Sequence, residues 1–105
     1  MPYAPNGFKV TFVIPKKYKG GNPIEGSKRA RFGTELRELQ TKFTKVPAAG
    51  EWQGQQDESV VYVISVRTVD EVDALFGLVK RWRAQFDQDA MYFDCQPVFF
   101  KEIDD

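Results

Sequence analysis

The segment SVVYVISVR, residues 59–67, constrains the fold more than any other part of this chain. Its apolar side chains fall on both parities, with Val60, Tyr62, Ile64 and Val66 on one and Val61 and Val63 on the other. Because successive side chains of a strand point to opposite faces of its sheet, both faces of this strand are apolar. We therefore predict a central strand that is buried on both sides.

A helix is predicted directly after this strand. Thr68 occupies the expected N-cap, and Glu71 three residues later completes a capping box. The apolar residues that follow recur with helical spacing and form one stripe: Val72, Leu75, Phe76, Val79, Trp82 and Phe86. We predict that this stripe packs against the sheet.

The first third of the chain predicts a second strand and helix. FKVTFVI, residues 8–14, alternates apolar and polar side chains, and Pro15 closes the strand. Ser27 is the expected N-cap of a helix with an apolar stripe of Phe32, Leu36, Leu39 and Phe43. Gly33 interrupts that helix, and we expect it to let the backbone approach the sheet closely.

Two further strands complete the pattern. TKVPAAGEWQGQQDES, residues 44–59, predicts a short irregular strand and a hairpin turn, and MYFDCQPVFFKEI, residues 91–103, predicts a last strand. Pro97 places that strand at a sheet edge, since proline cannot donate to a ladder. The order βαββαβ predicts an α+β fold, the ferredoxin-like plait, with a four-stranded antiparallel sheet and two helices on one face. We expect residues 1–105 to form a single domain of this kind.

The sheet face away from the helices is predicted to be partly apolar. Val13, Val61, Val63, Phe93 and Phe99 are the side chains we assign to it. Monomers rarely expose such patches, so a homo-oligomer formed through this open face is expected. For Trp52, between glycines, we expect packing or a subunit contact rather than a ligand.

Composition excludes several kinds of chemistry. The chain has no histidine, which removes the commonest general base and metal ligand, and its one cysteine, Cys95, is expected to serve packing. Asp87 with Asp89, or the acids of residues 51–58, could offer oxygen ligands to a hard cation, but we interpret them as turn formers and solvated charges. We therefore assign no catalytic residue, metal or cofactor.

Residues 16–31, KKYKGGNPIEGSKRAR, form a basic run that precedes the first helix. Residues 1–46 carry ten basic and three acidic side chains, against five and twelve in residues 47–105, although the net charge of the chain is zero. A helix N-terminus exposes amide donors that suit an anion, and glycines allow close backbone approach. A solvated loop is the competing interpretation. The candidate anion-binding residues are Lys16, Lys17, Lys19, Gly20, Gly21, Ser27, Lys28, Arg29 and Arg31.

Parts of the sequence resemble known proteins. GEW at residues 50–52, DES at 57–59 leading into VVYVISV, and FDQ at 86–88 are similar to a small uncharacterised family of bacterial ferredoxin-like α+β domains, over about half of the chain. GEWQG followed by VVYVISVRTVDEVDALF is more loosely similar to the divalent-cation-tolerance proteins, which are related in fold to PII signalling trimers. The second resemblance implies a symmetric oligomer with ligand sites between subunits.

The leading functional hypothesis is a non-enzymatic, oligomer-forming module that recognises a partner protein or small anionic ligand through the basic run. One alternative is nucleic-acid binding by the same patch, although the RNA-binding signature is missing and Tyr62 is the only aromatic on the central strand. Another is an enzyme of the dimeric α+β barrel type that uses acids with Tyr62 or Tyr92 between two sheets. The chain lacks a bilayer-spanning apolar run, and its first residues do not resemble a signal peptide, so no membrane association and a cytoplasmic location are expected.

Overall fold

The computed structural model describes residues 3–52 and 55–103. Its elements, in chain order, are β1 (Gly7–Pro15), α1 (Gly26–Leu39), β2 (Thr44–Trp52), β3 (Gln55–Val66), α2 (Val69–Gln85) and β4 (Phe93–Val98). The strands form an antiparallel sheet in the order β2-β3-β1-β4, and both helices pack on one face. This arrangement confirms the predicted α+β, ferredoxin-like plait.

The core lies between the helices and one face of the sheet. Phe12 of β1 is its centre, because in the register it stands opposite Tyr62 of β3 and Phe93 of β4. Its ring is stacked at centroid distances of 5.1 Å on Tyr62 and 6.2 Å on Phe93. Phe32 of α1 meets the ring of Phe12 edge-on. The assignment of Phe93 to the open face was therefore wrong, since this ring belongs to the aromatic row beneath the helices.

The other face of the sheet is open to solvent. β3 is an inner strand, as predicted, but Val61 and Val63 are only partly buried because neither helix covers their side. Val13 lies opposite Val61 in the register, and Val46 of β2 also lies opposite Val61, with 47% of its surface exposed. The expectation that β3 is buried on both faces is thus wrong for the isolated chain.

Helix α1 begins before the predicted Ser27 cap. Its N-cap is Glu25, which makes no side-chain capping bond, and Ser27 lies inside the first turn. The earlier start follows from the entry of the chain, because Ile24 is only 2% exposed and its N–H donates to the carbonyl of Lys16. The buried isoleucine and this backbone bond fix the direction of the chain one residue before the cap.

Helix α2 follows the sequence prediction closely. Thr68 and Glu71 form the predicted capping box, and Trp82 is buried as expected. Phe76 is the exception, with 50% of its surface exposed, because it lies at the border of the buried stripe and packs edge-on against Phe93. Leu78, which the stripe omitted, is fully buried instead.

The hairpin of β2 and β3 is longer and more regular than the sequence suggested. Its register runs from Thr44 opposite Val63 to Trp52 opposite Gln55, whereas β1 stops pairing with β3 at Ser59. The hairpin therefore projects past β1 as a two-stranded arm. The turn at 53–54 and the predicted role of the Trp52 side chain lie outside the described residues.

Strand β4 is shorter than the predicted segment and lies at the edge that Pro97 indicated. Cys95 is exposed on it rather than packed, which corrects its expected role. Phe99 follows the strand and packs against Tyr3 at a ring-centroid distance of 5.2 Å. In the described part of the chain, no helix has the length and apolarity needed to cross a membrane.

Candidate anion-binding cleft

A cleft of about 250 Å³ lies between α1 and the β2–β3 side of the sheet. Apolar side chains that include Phe43, Val60 and Phe86 line it, together with three cationic side chains. These are Arg29 and Arg37 of α1 and Lys45 of β2. The sequence prediction named only the first of the three.

The fold brings these three cations together. Arg29 and Arg37 are separated by about two helical turns, so they lie along the same side of α1. Lys45 stands opposite Tyr62 in the register of β2 with β3, which directs both side chains to the helix-covered face of the sheet. Within residues 3–52 and 55–103, none of the three cations forms an ion pair or a side-chain hydrogen bond.

Gly33 leaves space on the surface of α1 for the guanidinium of Arg37. A Cβ built on Gly33 would lie 3.3 Å from Nη1 of Arg37, which shows that the guanidinium folds back over the bare glycine backbone. The expected close approach of Gly33 to the sheet is therefore wrong, because the atoms nearest to this Cβ belong to Arg37.

Tyr62 contributes a hydroxyl to the same cleft. The residue is 8% exposed, and its hydroxyl forms no hydrogen bond with the residues the structure describes. No fully enclosed polar side-chain atom in that part of the chain lacks a partner, so the Tyr62 oxygen is reached from the cleft. Burial raises the pKa of Tyr62, and the positive charges of Arg29 and Arg37 partly oppose that rise. At neutral pH this hydroxyl is a hydrogen-bond donor close to two guanidinium groups.

The basic loop before α1 is folded back on itself and tied to the end of α2. Lys17 pairs with Pro23 in an isolated bridge, and Gly21 adopts a φ of 96°, which glycine accepts without strain. Lys19 forms a 2.9 Å ion pair with Asp89, and the side chain of Gln88 donates to the carbonyl of Lys17. Gly20 is exposed on the same turn.

The other predicted basic residues have different contacts. Lys28 donates from Nζ to the carbonyl of Gln85 at 3.0 Å and lies 5.0 Å from the ring centroid of Tyr18. Arg31 lies over the ring of Trp82 at 5.6 Å. Lys16 is partly buried, and its backbone bonds to Glu58 and Ile24. The predicted anion-binding residues therefore do not form one site. Of their basic side chains, only Arg29 lines the cleft with Arg37 and Lys45.

A larger cleft of about 760 Å³ lies between the basic loop and the projecting hairpin. Lys17 and Lys19 line it together with the hairpin acids Glu51, Asp57 and Glu58. Its charges are of both signs and Lys19 is already paired, so it is less suited to an anion than the smaller cleft.

Metal and thiol chemistry receive little support from the geometry. No group of three or more Cys, Asp and Glu in the described ranges is arranged to hold a metal ion. Asp87 occupies a turn with a φ of 49°, and Asp89 pairs with Lys19. Burial raises the pKa of the Cys95 thiol, and Asp94 adds to that rise, so its thiolate is disfavoured.

The two alternative uses of Tyr62 do not fit its position. This ring lies beneath the helices, stacked on Phe12, so it cannot stack nucleic-acid bases on the open face. For the same reason it cannot line a cavity between two sheets. Tyr92 is exposed, with its hydroxyl bonded to Asp94, and neither residue lines the cleft of Tyr62.

Comparison with solved structures shows a widely shared fold. A phage SAM lyase in complex with S-methyl-5'-thioadenosine matches with a TM-score of 0.61 at 15% identity, over 89% of this chain and 82% of that one. CutA1 from the psychrotrophic bacterium Shewanella sp. SIB1 matches with a TM-score of 0.59 at 17% identity, over 95% and 88%. The divalent cation tolerance protein CutA1 of Thermus thermophilus matches with a TM-score of 0.55 at 14% identity, over 91% and 87%.

These likenesses confirm the resemblance to divalent-cation-tolerance proteins at the level of the fold. No protein-family model matches the sequence, and no curated protein matches it.

Proposed function

We propose that this chain is a non-enzymatic, self-associating binding module that holds a small anionic ligand in the cleft of Arg29, Arg37 and Lys45. The observation that carries the proposal is that these three cations line one cleft and have no acidic partner in the described residues. Like charges around one cavity repel each other, and an anion between them converts that repulsion into attraction.

The start of α1 supports this proposal. Gly26 and Arg29 line the cleft, and the first turn of the helix has no acidic residue and no side-chain cap. The amides of Lys28 and Arg29 already donate to the carbonyl of Glu25, so it is the positive end of the helix dipole that adds to the attraction for an anion. The remaining candidates in the basic run, including Lys16, Lys17, Lys28 and Arg31, would raise the local concentration of anions rather than contact them.

Self-association is the second part of the proposal. Val13, Val46, Val61 and Val63 form an apolar patch on the open sheet face, which a second copy would cover. A partner protein on the same face is the competing occupant. Light scattering of the purified chain distinguishes the two occupants. A second copy predicts an oligomer of the purified chain, whereas a different partner protein predicts a monomer.

A ligand titration followed by thermal unfolding tests the anion proposal. An anion that binds the folded chain at one hundred times its Kd stabilises it by about 2.7 kcal/mol. We expect this stabilisation with phosphate or benzoate, and its loss when Arg29, Arg37 and Lys45 are all changed to Gln. Lys80→Gln is the matched control, because Lys80 is exposed on α2 and lies outside the cleft.

Two further probes separate the alternatives. S-methyl-5'-thioadenosine, the ligand of the structurally similar phage lyase, carries no negative charge and should not stabilise the chain through this cleft. An oligonucleotide that bound better than the small anions, with a steep dependence on salt, would instead favour nucleic-acid binding. No response to any anion would contradict the proposed function.

A further inference from the structure

We infer that the ligand of this cleft is a small phosphomonoester, bound with its phosphate directed at the hydroxyl of Tyr62 and its organic group against Phe43. The inference rests on the proposed anion cleft and names the class of ligand within it. It is carried by the charge of the cleft, by the tyrosine donor at its floor and by its size.

The charge favours a dianion. Three cationic side chains line the cleft and no carboxylate does, so a group with two negative charges matches it better than a group with one. Guanidinium groups also present forked donors that fit phosphate oxygens in pairs. A carboxylate, with one charge and two oxygens, would leave part of this donor set without a partner.

Tyr62 supplies the independent observation. More than nine-tenths of the residue is buried, yet its hydroxyl forms no hydrogen bond in the described part of the chain, and the residue lines the cleft. The ring is what is buried, whereas the hydroxyl oxygen is not fully enclosed and is free of protein partners in the described residues, so it is available to whatever fills the cleft.

The chemistry of this hydroxyl selects an acceptor. The ring of Tyr62 packs against Phe12, Phe32 and Phe43, so the hydroxyl is the part of the side chain that remains for a ligand. A tyrosine hydroxyl is protonated at neutral pH, and burial raises the pKa of Tyr62 further, so it can donate a hydrogen bond to an acceptor such as a phosphate oxygen.

The volume of the cleft and the residues that line it limit the organic group of the ligand. The volume of about 250 Å³ is below the range of roughly 300–1,000 Å³ found for drug-sized ligands. A dinucleotide is therefore too large, whereas a phosphate ester with one small ring or a short chain fits. Phe43 is partly buried beside the cationic rim and, with Val60, offers an apolar surface to that group.

Three ligands that share a benzene ring test the inference by calorimetry on the unmodified protein. Phenyl phosphate is mainly a dianion at about pH 7.5, whereas benzenesulfonate and benzoate carry a single charge. We expect phenyl phosphate to bind at least about tenfold more tightly than either, because it adds a charge-assisted contact. Equal affinities for the three would overturn the inference and leave the anion cleft standing, and absence of binding by all three would remove both.

The pH dependence gives a second readout. The second pKa of a phosphomonoester is about 6, so phenyl phosphate loses one charge between about pH 7.5 and about pH 5, while benzenesulfonate does not change. The charged or titratable groups that face the ligand are Arg29 and Arg37 from α1, Lys45 from β2 and Tyr62 from β3, and no carboxylate or histidine is among them. We expect the preference for phenyl phosphate to fall about tenfold at the lower pH. A preference that did not change would overturn the assignment of a dianion.

Tyr62→Phe tests the orientation of the ligand. It removes the hydroxyl and keeps the ring stacked on Phe12, so we expect about a tenfold loss of affinity for phenyl phosphate with little loss for benzoate. The control is Tyr92→Phe, which removes an exposed hydroxyl bonded to Asp94 outside the cleft. Unchanged affinity in a folded Tyr62→Phe variant would overturn the orientation. If this variant did not fold, the ligand and pH comparisons on the unmodified protein would still decide the class of ligand.

Discussion

The guanidinium of Arg37 lies over the backbone of Gly33, with Nη1 3.3 Å from the point where a Cβ of residue 33 would be. Glycine within a helix costs about 1 kcal/mol relative to alanine. Gly33 therefore lowers the stability of α1, but it leaves room for the Arg37 guanidinium beside the cleft. A substitution at residue 33 should therefore change the stability of the fold and the affinity for an anion in opposite directions.

Gly33→Ala should therefore stabilise the fold and weaken the ligand site. We expect the free energy of unfolding in urea to rise by about 0.5–1 kcal/mol, since the displaced guanidinium is the end of a flexible side chain. Affinity for a small anion should fall at the same time. A variant that is more stable and binds as well as the unmodified protein would show that Arg37 does not need this position.

Arg29 should account for most of the anion response of the basic run. Arg29→Ser removes a charge from the cleft, and we expect roughly a ten- to hundredfold loss of affinity. The double variant Lys28→Ser with Arg31→Ser should retain most of the response, because these side chains contact Gln85 and Trp82 instead. Thermal shifts with phosphate measure both variants. The reverse order of effects would place the anion on the other side of α1.

Glu71 links the start of α2 to the end of α1 and should make stability depend on pH. Its pKa is lowered, mainly by the hydrogen bond from Gln40 and further by bonds from Arg67 and Thr68. A carboxylate whose pKa is lowered in the folded state stabilises the fold when the pH is above its ordinary pKa of about 4.3. This stabilisation is lost as the pH falls through the pKa of the folded state.

Glu71→Ala should therefore lower the free energy of unfolding by about 1 kcal/mol near neutral pH, with the difference narrowing below about pH 4. Urea unfolding at several pH values measures this. Asp73→Ala, an exposed acid of the same helix, is the control and should have a smaller effect. A difference that stayed constant over the whole range would contradict the role of the charged form.

The open sheet face should control self-association. Val46→Asp places a carboxylate in the apolar patch, where an interface would have to bury it without a partner, and we expect the oligomer to dissociate. The matched control is Val69→Asp, another exposed valine, at the start of α2. Light scattering of both variants measures the effect, and an oligomer that survives Val46→Asp would exclude this face as the interface.

The fold could be predicted because its signals are local. The apolar run of β3 and the Thr68–Glu71 capping box each arise from residues close together in the sequence, and each element was confirmed. The start of α1 was misplaced because it depends on contacts outside the helix, namely the burial of Ile24 in the core and its backbone bond to Lys16. The arm of β2 and β3 was underestimated because its Gly- and Gln-rich composition resembles that of a loop.

The candidate cleft could be predicted only in part. The spacing of Arg29, Gly33 and Arg37 by four residues was visible and indicates one side of a helix. The contributions of Lys45 and Tyr62 depend on which face of the sheet the helices cover, and parity alone does not decide that. The proximity of Lys19 to Asp89 is likewise a tertiary contact, between residues 70 positions apart.

An NMR titration of the ¹⁵N-labelled chain with phenyl phosphate locates the ligand most directly. We expect the largest shift changes at the amides of residues 26–30, Arg37, Lys45 and Tyr62, with small changes in residues 16–21 and on the open sheet face. Changes concentrated instead at Lys16, Lys17 and Lys19, or spread over Val46 and Val61, would contradict an anion site between α1 and the sheet.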